Sequence, residues 1–181
     1  MFNNERYLTT FVQLGNEFEV DEAVQENLES LTCMLYRVKD ATSVNKVRYG
    51  IFRMGKFSDA ALPPNEDCLL QHIKRANYQT AIWKRATTQE IGAPSPVYHG
   101  WKIDEEDNID VVWMTGKCAP DELLKDCNCK CRTGCSNLRC SCMKANYKCT
   151  EMCQCVDCTN CPNESREEDS DYNLDTDLEE N

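Results

Sequence analysis

Eleven of the 38 residues from Asp126 to Asn163 are cysteine, in the run DCNCKCRTGCSNLRCSCMKANYKCTEMCQCVDCTNCPN. A chain holding thiols at this density must keep them as disulfides, as free thiols or as metal ligands, and the choice governs everything else about the region. The amino terminus, MFNNERYLTTFVQLGNEF, lacks a basic segment followed by an apolar one, so no signal peptide is predicted. No apolar run is long enough for a transmembrane helix, and no membrane association is expected. The expected setting is therefore intracellular and reducing, where disulfides rarely persist.

The spacing of Cys129, Cys131, Cys135, Cys140, Cys142, Cys149, Cys153, Cys155 and Cys158 narrows the choice further. The gaps are one, three, four, one, six, three, one and two residues. Structural zinc takes four ligands. Two separate zinc sites would use eight of these cysteines and strand the ninth. Three tetrahedral ions need twelve zinc–sulfur bonds, which nine thiolates supply if six bind one ion each and three bridge two. The C-x-C pairs suit a shared cluster, because their side chains start close together and can reach neighbouring ions. Leu138, Met143, Tyr147, Met152 and Val156 are too few to form a core, so metal binding must supply the folding free energy here. Cys127 and Cys161 flank the nine, and recruiting both would allow a four-ion, metallothionein-like cluster instead.

The rest of the chain reads as an α-rich region with a small β-hairpin, followed by the irregular cysteine module and a disordered acidic tail. The expected layout is a helix-rich platform over 1–115 with a hairpin near 100–114, a connector over 116–126, the zinc-cluster module over 127–161 and the tail over 162–181. Val24, Leu28, Leu31 and Leu35 recur at helical spacing. Ser43 is a suitable N-cap for the helix that follows it. Prolines and acids open a further helix that closes on Lys84 and Arg85, as the helix dipole favours. Leu69, Ile73, Ala76, Thr80 and Trp83 form one stripe on it. The platform is expected to fold around Leu31, Leu35, Leu69, Ile73 and Trp83. GWKIDEEDNIDVVWM reads as two short strands about a polar turn, and APDELLKD as a turn or two of helix. With a helix so near its start, the platform reads as the end of a larger fold.

The formal net charge of −11 is unevenly spread. Residues 162–181 hold nine acids and one arginine, a net −8, in a segment too polar to fold alone. Residues 127–161 hold Lys130, Arg132, Arg139, Lys144 and Lys148 against Glu151 and Asp157, a net +3. A cluster of three Zn²⁺ and nine thiolates carries −3, so these bases either offset it or contact phosphate. The acids Glu17, Glu19, Asp21, Glu22 and Asp104–Asp107 read as solvated charges, and no catalytic residue is assigned. His72 and His99 are isolated. Cys33 and Cys68 read as core thiols, and Cys118 as a free thiol or a peripheral ligand.

The nine-cysteine pattern resembles the tesmin-like CXC domain, with every gap fitting. That resemblance implies a three-zinc, nine-cysteine cluster and sequence-selective DNA binding in the nucleus, as in the cell-cycle regulators that carry two such domains. In those regulators a tyrosine directly before the fourth cysteine enters the minor groove; here that position is Arg139, and only one CXC unit is present. Arg139 with Lys130, Arg132 and Lys144 then forms the expected DNA contact, weak from a single unit. Upstream, LESLTCMLYRVKDATSVNKVRYGIF, LPPNEDCLLQHIKRANYQTAIWKRA and GWKIDEEDNIDVVWM extend a resemblance over residues 10–161 to the C-terminal third of animal mobile-element proteins that begin with a PIN-like nuclease domain. Their catalytic carboxylates would precede residue 1. The sequence thus leads to a zinc-binding nuclear protein contacting DNA or chromatin, without catalysis of its own. The alternatives are a nuclease fragment lacking its active site, and a metal-buffering or protein-interaction module. Oligomeric state is not legible.

Overall fold

A computed structural model describes residues 4–38, 41–54, 61–121, 128–132 and 134–161. The elements run α1 (Asn4–Gln13), α2 (Glu22–Leu35), α3 (Val44–Met54), α4 (Glu66–Lys84), β1 (Trp101–Ile103), β2 (Ile109–Val111) and the short α5 (Ser141–Lys144). A helix-rich first part, a two-stranded antiparallel hairpin and an irregular cysteine module follow one another, as the sequence predicts. Residues 162–181, expected to be disordered, lie outside the described residues, as do Cys127 and most of the predicted helical turn over 119–126. Among the described residues, no helix is long and apolar enough to cross a membrane.

The described residues fall into two compact units. One draws on Met1–Val44 and Pro64–Cys118; the other draws on Asn45–Pro63 and on the chain from Ala119 onward. The second unit therefore joins most of α3 to the cysteine module, although more than sixty residues separate them in sequence.

In the first unit α4 is the longest element, and its ends follow from local chemistry. Asn65 caps it by accepting the amide of Cys68 at 2.8 Å, and Glu66 and Asp67 sit in the first turn where the dipole favours acids. Asp21 caps α2 in the same way through the amide of Ala23 at 2.8 Å. Buried positions on α4 are Leu69, Gln71, Ile73, Asn77, Tyr78 and Ala81. The fully packed row thus runs 69–73–77–81, with a polar residue inside it. Of the expected core, Leu69 and Ile73 are buried and Leu31 is half-buried, but Leu35 and Trp83 are 73% and 68% exposed. Both lie in the last turns of their helices, where the apolar stripe runs past the packed surface.

Asn77 explains why the row includes an amide. Its Oδ1 accepts the amide of Gly15 at 2.8 Å, and its Nδ2 donates to the carbonyls of Glu17 and Phe18, both at 2.9 Å. One buried side chain thus satisfies the loop between α1 and α2. Gly15 adopts φ +73°, and a Cβ there would lie 2.6 Å from the backbone of Thr80 and Ala81. Only glycine meets both conditions. Arg85 donates to the carbonyls of Gly15 and Asn16 and lies over Phe18. α1 and α2 are tied by Arg6 to Asn27 at 2.6 Å and Asn27 to Thr10 at 3.0 Å.

The hairpin pairs Trp101 with Val111 and Ile103 with Ile109. Its turn is built by Asp104, whose Oδ1 accepts the amides of Glu106 and Asn108 at 2.9 and 2.8 Å. Asp107 takes φ +62° in that turn, a conformation that Asp tolerates. Asp67 accepts the amides of Thr115 and Gly116, fixing the strand that leaves the hairpin. Tyr78 stacks against Phe18, His99 and Trp101 and donates to Pro94 O at 2.8 Å. The acids read as solvated charges thus include caps and turn-formers. His72 is exposed, while His99 is buried against Tyr78 with Glu19 at 3.7 Å.

Replacing Asn77 by alanine would leave the amide of Gly15 and two loop carbonyls without their partner. The Asn77→Ala variant is expected to lose about 2–3 kcal/mol of stability, read by chemical denaturation of the first unit's helical signal, with metal content unchanged.

Candidate metal centre

The cysteine module has almost no regular structure, so its few backbone hydrogen bonds decide where the sulfurs lie. Cys140 stands at the N-cap of α5, and Cys142 is buried within the helix's first turn. The chain reverses at Asn146, φ +54°, and the amide of Tyr147 returns to Cys142 O at 2.8 Å. A second reversal uses Asp157 at φ +50°. Asn and Asp are the non-glycine residues most at ease there. The amide of Gln154 reaches Cys129 O, and that of Cys149 reaches Asn160 O, both at 2.9 Å. The first bond folds the second half of the cysteine run back onto the first, and the other closes the second half on itself.

The result is a core made of sulfur. Cys129, Cys135, Cys140, Cys142 and Cys149 are each no more than 2% exposed, with Cys131, Cys153, Cys155, Cys158 and Met143 packed around them. Every described cysteine is a free thiol. Sulfur–sulfur separations are 3.8 Å for Cys129–Cys135 and Cys129–Cys149, 3.9 Å for Cys140–Cys149 and 3.7 Å for Cys142–Cys153. A disulfide needs about 2.05 Å. Four sulfurs placed tetrahedrally about one zinc at about 2.3 Å stand about 3.8 Å apart. The observed spacing is that of a tetrahedral thiolate site.

Four overlapping foursomes have all their sulfurs within 4.8 Å of one another. They are Cys129, Cys131, Cys135 and Cys140; Cys129, Cys140, Cys142 and Cys149; Cys129, Cys149, Cys153 and Cys155; and Cys135, Cys149, Cys155 and Cys158. Together they contain all nine cysteines singled out by spacing. Cys161 is exposed and joins none of these groups; hydrogen bonding to Cys158 raises its thiol to about 11. Cys33 is fully buried in the first unit, and burial pushes its thiol up to about 11, as befits an inert core residue. Cys118 is exposed.

The electrostatics of the packed thiols also call for a cation. Burial, more than any neighbour, pushes Cys135 and Cys149 far upward. Burial raises Cys142 to about 11, with Cys153 adding to the rise and Arg53 opposing it. Cys155 rises to about 12 through burial and then Cys158. Burial also acts against thiolates at Cys140 and Cys153, yet hydrogen bonds from nearby backbone amides and thiols outweigh it and hold them at about 6 and about 7. Without metal the site therefore mixes thiolates with protonated thiols. Divalent metal makes the all-thiolate state accessible and displaces the protons.

Two polar side chains beside the sulfurs have no signature in the cysteine spacing. Asn160, buried, donates from Nδ2 to Tyr147 O at 2.8 Å and to Cys149 Sγ at 3.4 Å. Arg53 of α3, 1% exposed, donates from Nη2 to Cys142 Sγ at 3.0 Å. Asn160 lies between Cys158 and Cys161, whereas Arg53 comes from a distant helix; neither is singled out from sequence alone. Of the bases expected to meet DNA, Lys130, Arg132, Arg139 and Lys144 are all exposed, as is Lys148. Among the described residues none of these five is held in an ion pair.

No known protein-family model matches the chain, and no solved structure matches it. Among curated proteins it is similar to Protein tesmin/TSO1-like CXC 6 of Arabidopsis thaliana, 38% identical over 68 residues, which is 38% of this chain and 10% of that protein. The chain thus spans about a tenth of that relative's length. With the sulfur geometry, this similarity supports a CXC-like, zinc-binding module. It does not bear on the mobile-element nuclease resemblance.

Two outcomes follow from the site. Metal uptake should release protons, so apparent affinity should rise with pH as the raised thiols become easier to ionise; titration in weakly buffered solution with a pH indicator measures both. Cys129→Ser and Cys142→Ser should lower the bound metal counted by native mass spectrometry, whereas Cys33→Ser should leave it unchanged.

Proposed function

We propose that the module holds three Zn²⁺ ions on nine cysteines and presents a basic surface to nucleic acid in the nucleus, and that this chain has no catalysis of its own. The overlap of the sulfur foursomes is the observation that carries the reading. One foursome is Cys129, Cys131, Cys135 and Cys140, and another is Cys135, Cys149, Cys155 and Cys158. A third, Cys129, Cys142, Cys149 and Cys153, follows from the other two groups together with the 3.7 Å approach of Cys142 to Cys153. These three sets use all nine residues. Each pair of sets shares one sulfur: Cys129, Cys135 or Cys149. Those three would bridge and the other six would be terminal, giving the twelve bonds that three tetrahedral ions need. The three bridging candidates are among the most buried sulfurs, at 2%, 1% and 0% exposure.

Nucleic-acid contact is supported by the exposed bases. Lys130 and Arg132 flank Cys131, Lys144 ends α5, and Arg139 projects from the turn before Cys140 beside Leu138, which is 73% exposed. Arginine suits a narrow minor groove, and the lysines suit phosphates. The reading gives this chain a binding role because the metal-competent groups among the described residues are made of thiols, the donors of structural zinc.

Native mass spectrometry of the purified protein should give three zinc ions per chain; four would favour recruitment of Cys127 and Cys161, and a metal-free protein would end the reading. Zinc-loaded protein lacking residues 164–181 should bind duplex DNA at low salt, with a log–log salt slope of about −3 to −4 for about four phosphate contacts. Arg139→Ala should cost about 1–3 kcal/mol and relax sequence preference, whereas Lys130→Ala should weaken all sequences alike. A flat titration would restrict the bases to offsetting the cluster's −3.

A further inference from the structure

The least expected neighbour of the sulfur core is a charge from outside the cysteine run. Arg53 belongs to α3 and lies 89 residues before Cys142, yet its Nη2 stands 3.0 Å from the Cys142 sulfur. The side chain is buried, at 1% exposure. It is held on both flanks: its guanidinium carbon lies 5.1 Å from the ring centre of Tyr147 and 5.7 Å from that of Tyr49. The two rings themselves meet edge-on at 5.9 Å. Its backbone is fixed too, because Arg53 O accepts the amide of Lys148 at 2.9 Å. All of these residues lie in the second unit.

A guanidinium buried this deeply is costly unless it meets negative charge. A neutral thiol is a weak acceptor, while a thiolate accepts a charge-assisted hydrogen bond. A metal-bound thiolate at Cys142 would accept such a charge-assisted bond from Nη2. A cluster of three Zn²⁺ and nine thiolates carries −3, and water is excluded from its core, so one fixed cation beside a terminal sulfur acts at low screening. The two tyrosine faces stabilise that cation and fix its direction. The exposed lysines and arginines of the module, by contrast, face solvent and are screened.

We propose that Arg53 is a positioning residue of the metal centre: from α3 it orients the Cys142 sulfur and offsets part of the cluster's negative charge, so that Asn45–Met54 is a built-in part of the zinc module. The proposal rests on the zinc-cluster reading above. Removing an outer partner of a metal ligand typically weakens metal binding about 10–100-fold. Among the described contacts Arg53 meets the Cys142 sulfur, so its loss should fall mainly on the ion that Cys142 binds.

The test uses the whole chain with Arg53→Gln, Arg53→Lys and, as a control, Lys102→Gln in the exposed hairpin. Each is loaded with cadmium-113, and the metal count, the cadmium resonances and the release to a competing chelator are recorded. Arg53→Gln is expected to bind the wild-type number of ions at saturating metal, to shift mainly the resonance lost in Cys142→Ser, and to release that ion about tenfold or more readily. Arg53→Lys, which keeps the charge but not the planar fork, should fall between it and the wild type. Lys102→Gln should match the wild type. Wild-type resonances and release rates in Arg53→Gln would overturn the role of Arg53 while leaving the cluster reading intact. Uniform weakening of every ion, equal in Arg53→Gln and Arg53→Lys, would mean that the arginine only packs, and would overturn it as well. Should Arg53→Gln not fold, Arg53→Lys alone decides: an unshifted resonance and wild-type release overturn the proposal, while a shift confined to the Cys142 ion supports it. Failure of the wild-type protein to bind metal at all would instead remove the cluster reading, and the proposal with it.

Discussion

Nine sulfur atoms gathered in overlapping foursomes, each within 4.8 Å, are the constraint on which the second unit depends. Sulfurs at 3.7–3.9 Å are too far apart for disulfides. As ions they repel strongly, and as thiols they offer only weak hydrogen bonds. The large apolar residues around them give little help, since Leu138, Met152 and Val156 are exposed. Metal–thiolate bonding is the one term large enough to hold such a region, and it couples folding directly to metal and to pH.

The first unit is organised on the opposite principle. Its helices and hairpin pack through ordinary apolar burial, with polar side chains at the places where the chain must turn. Asn77 satisfies three backbone groups of one loop, Asp104 builds the hairpin turn, and Asp67 receives the chain as it leaves the hairpin. Asn77 replaces water that burial excludes, whereas Asp104 and Asp67 fix backbone turns at exposed sites. The two units thus answer the same accounting of backbone groups and charge in different chemistries, one with amides and carboxylates, the other with sulfur.

Placing most of α3 in the second unit changes what the cysteine module is. Zinc-cluster spacing accounts for the ligands, but a net-negative cluster inside a protein also needs its charge managed. Asn160 on Cys149 and Arg53 on Cys142 are neutral and cationic answers to that need. On the proposed reading the exposed bases are left to meet a polyanion, while Arg53 and Asn160 serve the sulfurs.

The sequence by itself singled out the nine cysteines that the structure gathers into groups able to hold a metal ion, because chain spacing limits which sulfurs can meet. It also determined the helix-rich first part and the hairpin, through local periodicity and turn residues. It misplaced Leu35 and Trp83, because an apolar stripe shows which face of a helix is greasy but not where the packed surface ends. The buried row on α4 contains Asn77, and no apolar pattern marks an amide whose partners lie about sixty residues away. Which sulfurs lie at tetrahedral distance, and that Arg53 stands beside one of them across 89 residues, was decided only by tertiary structure. Which cysteines can gather is a property of local spacing, whereas burial of charge depends on what the rest of the chain brings to the same place.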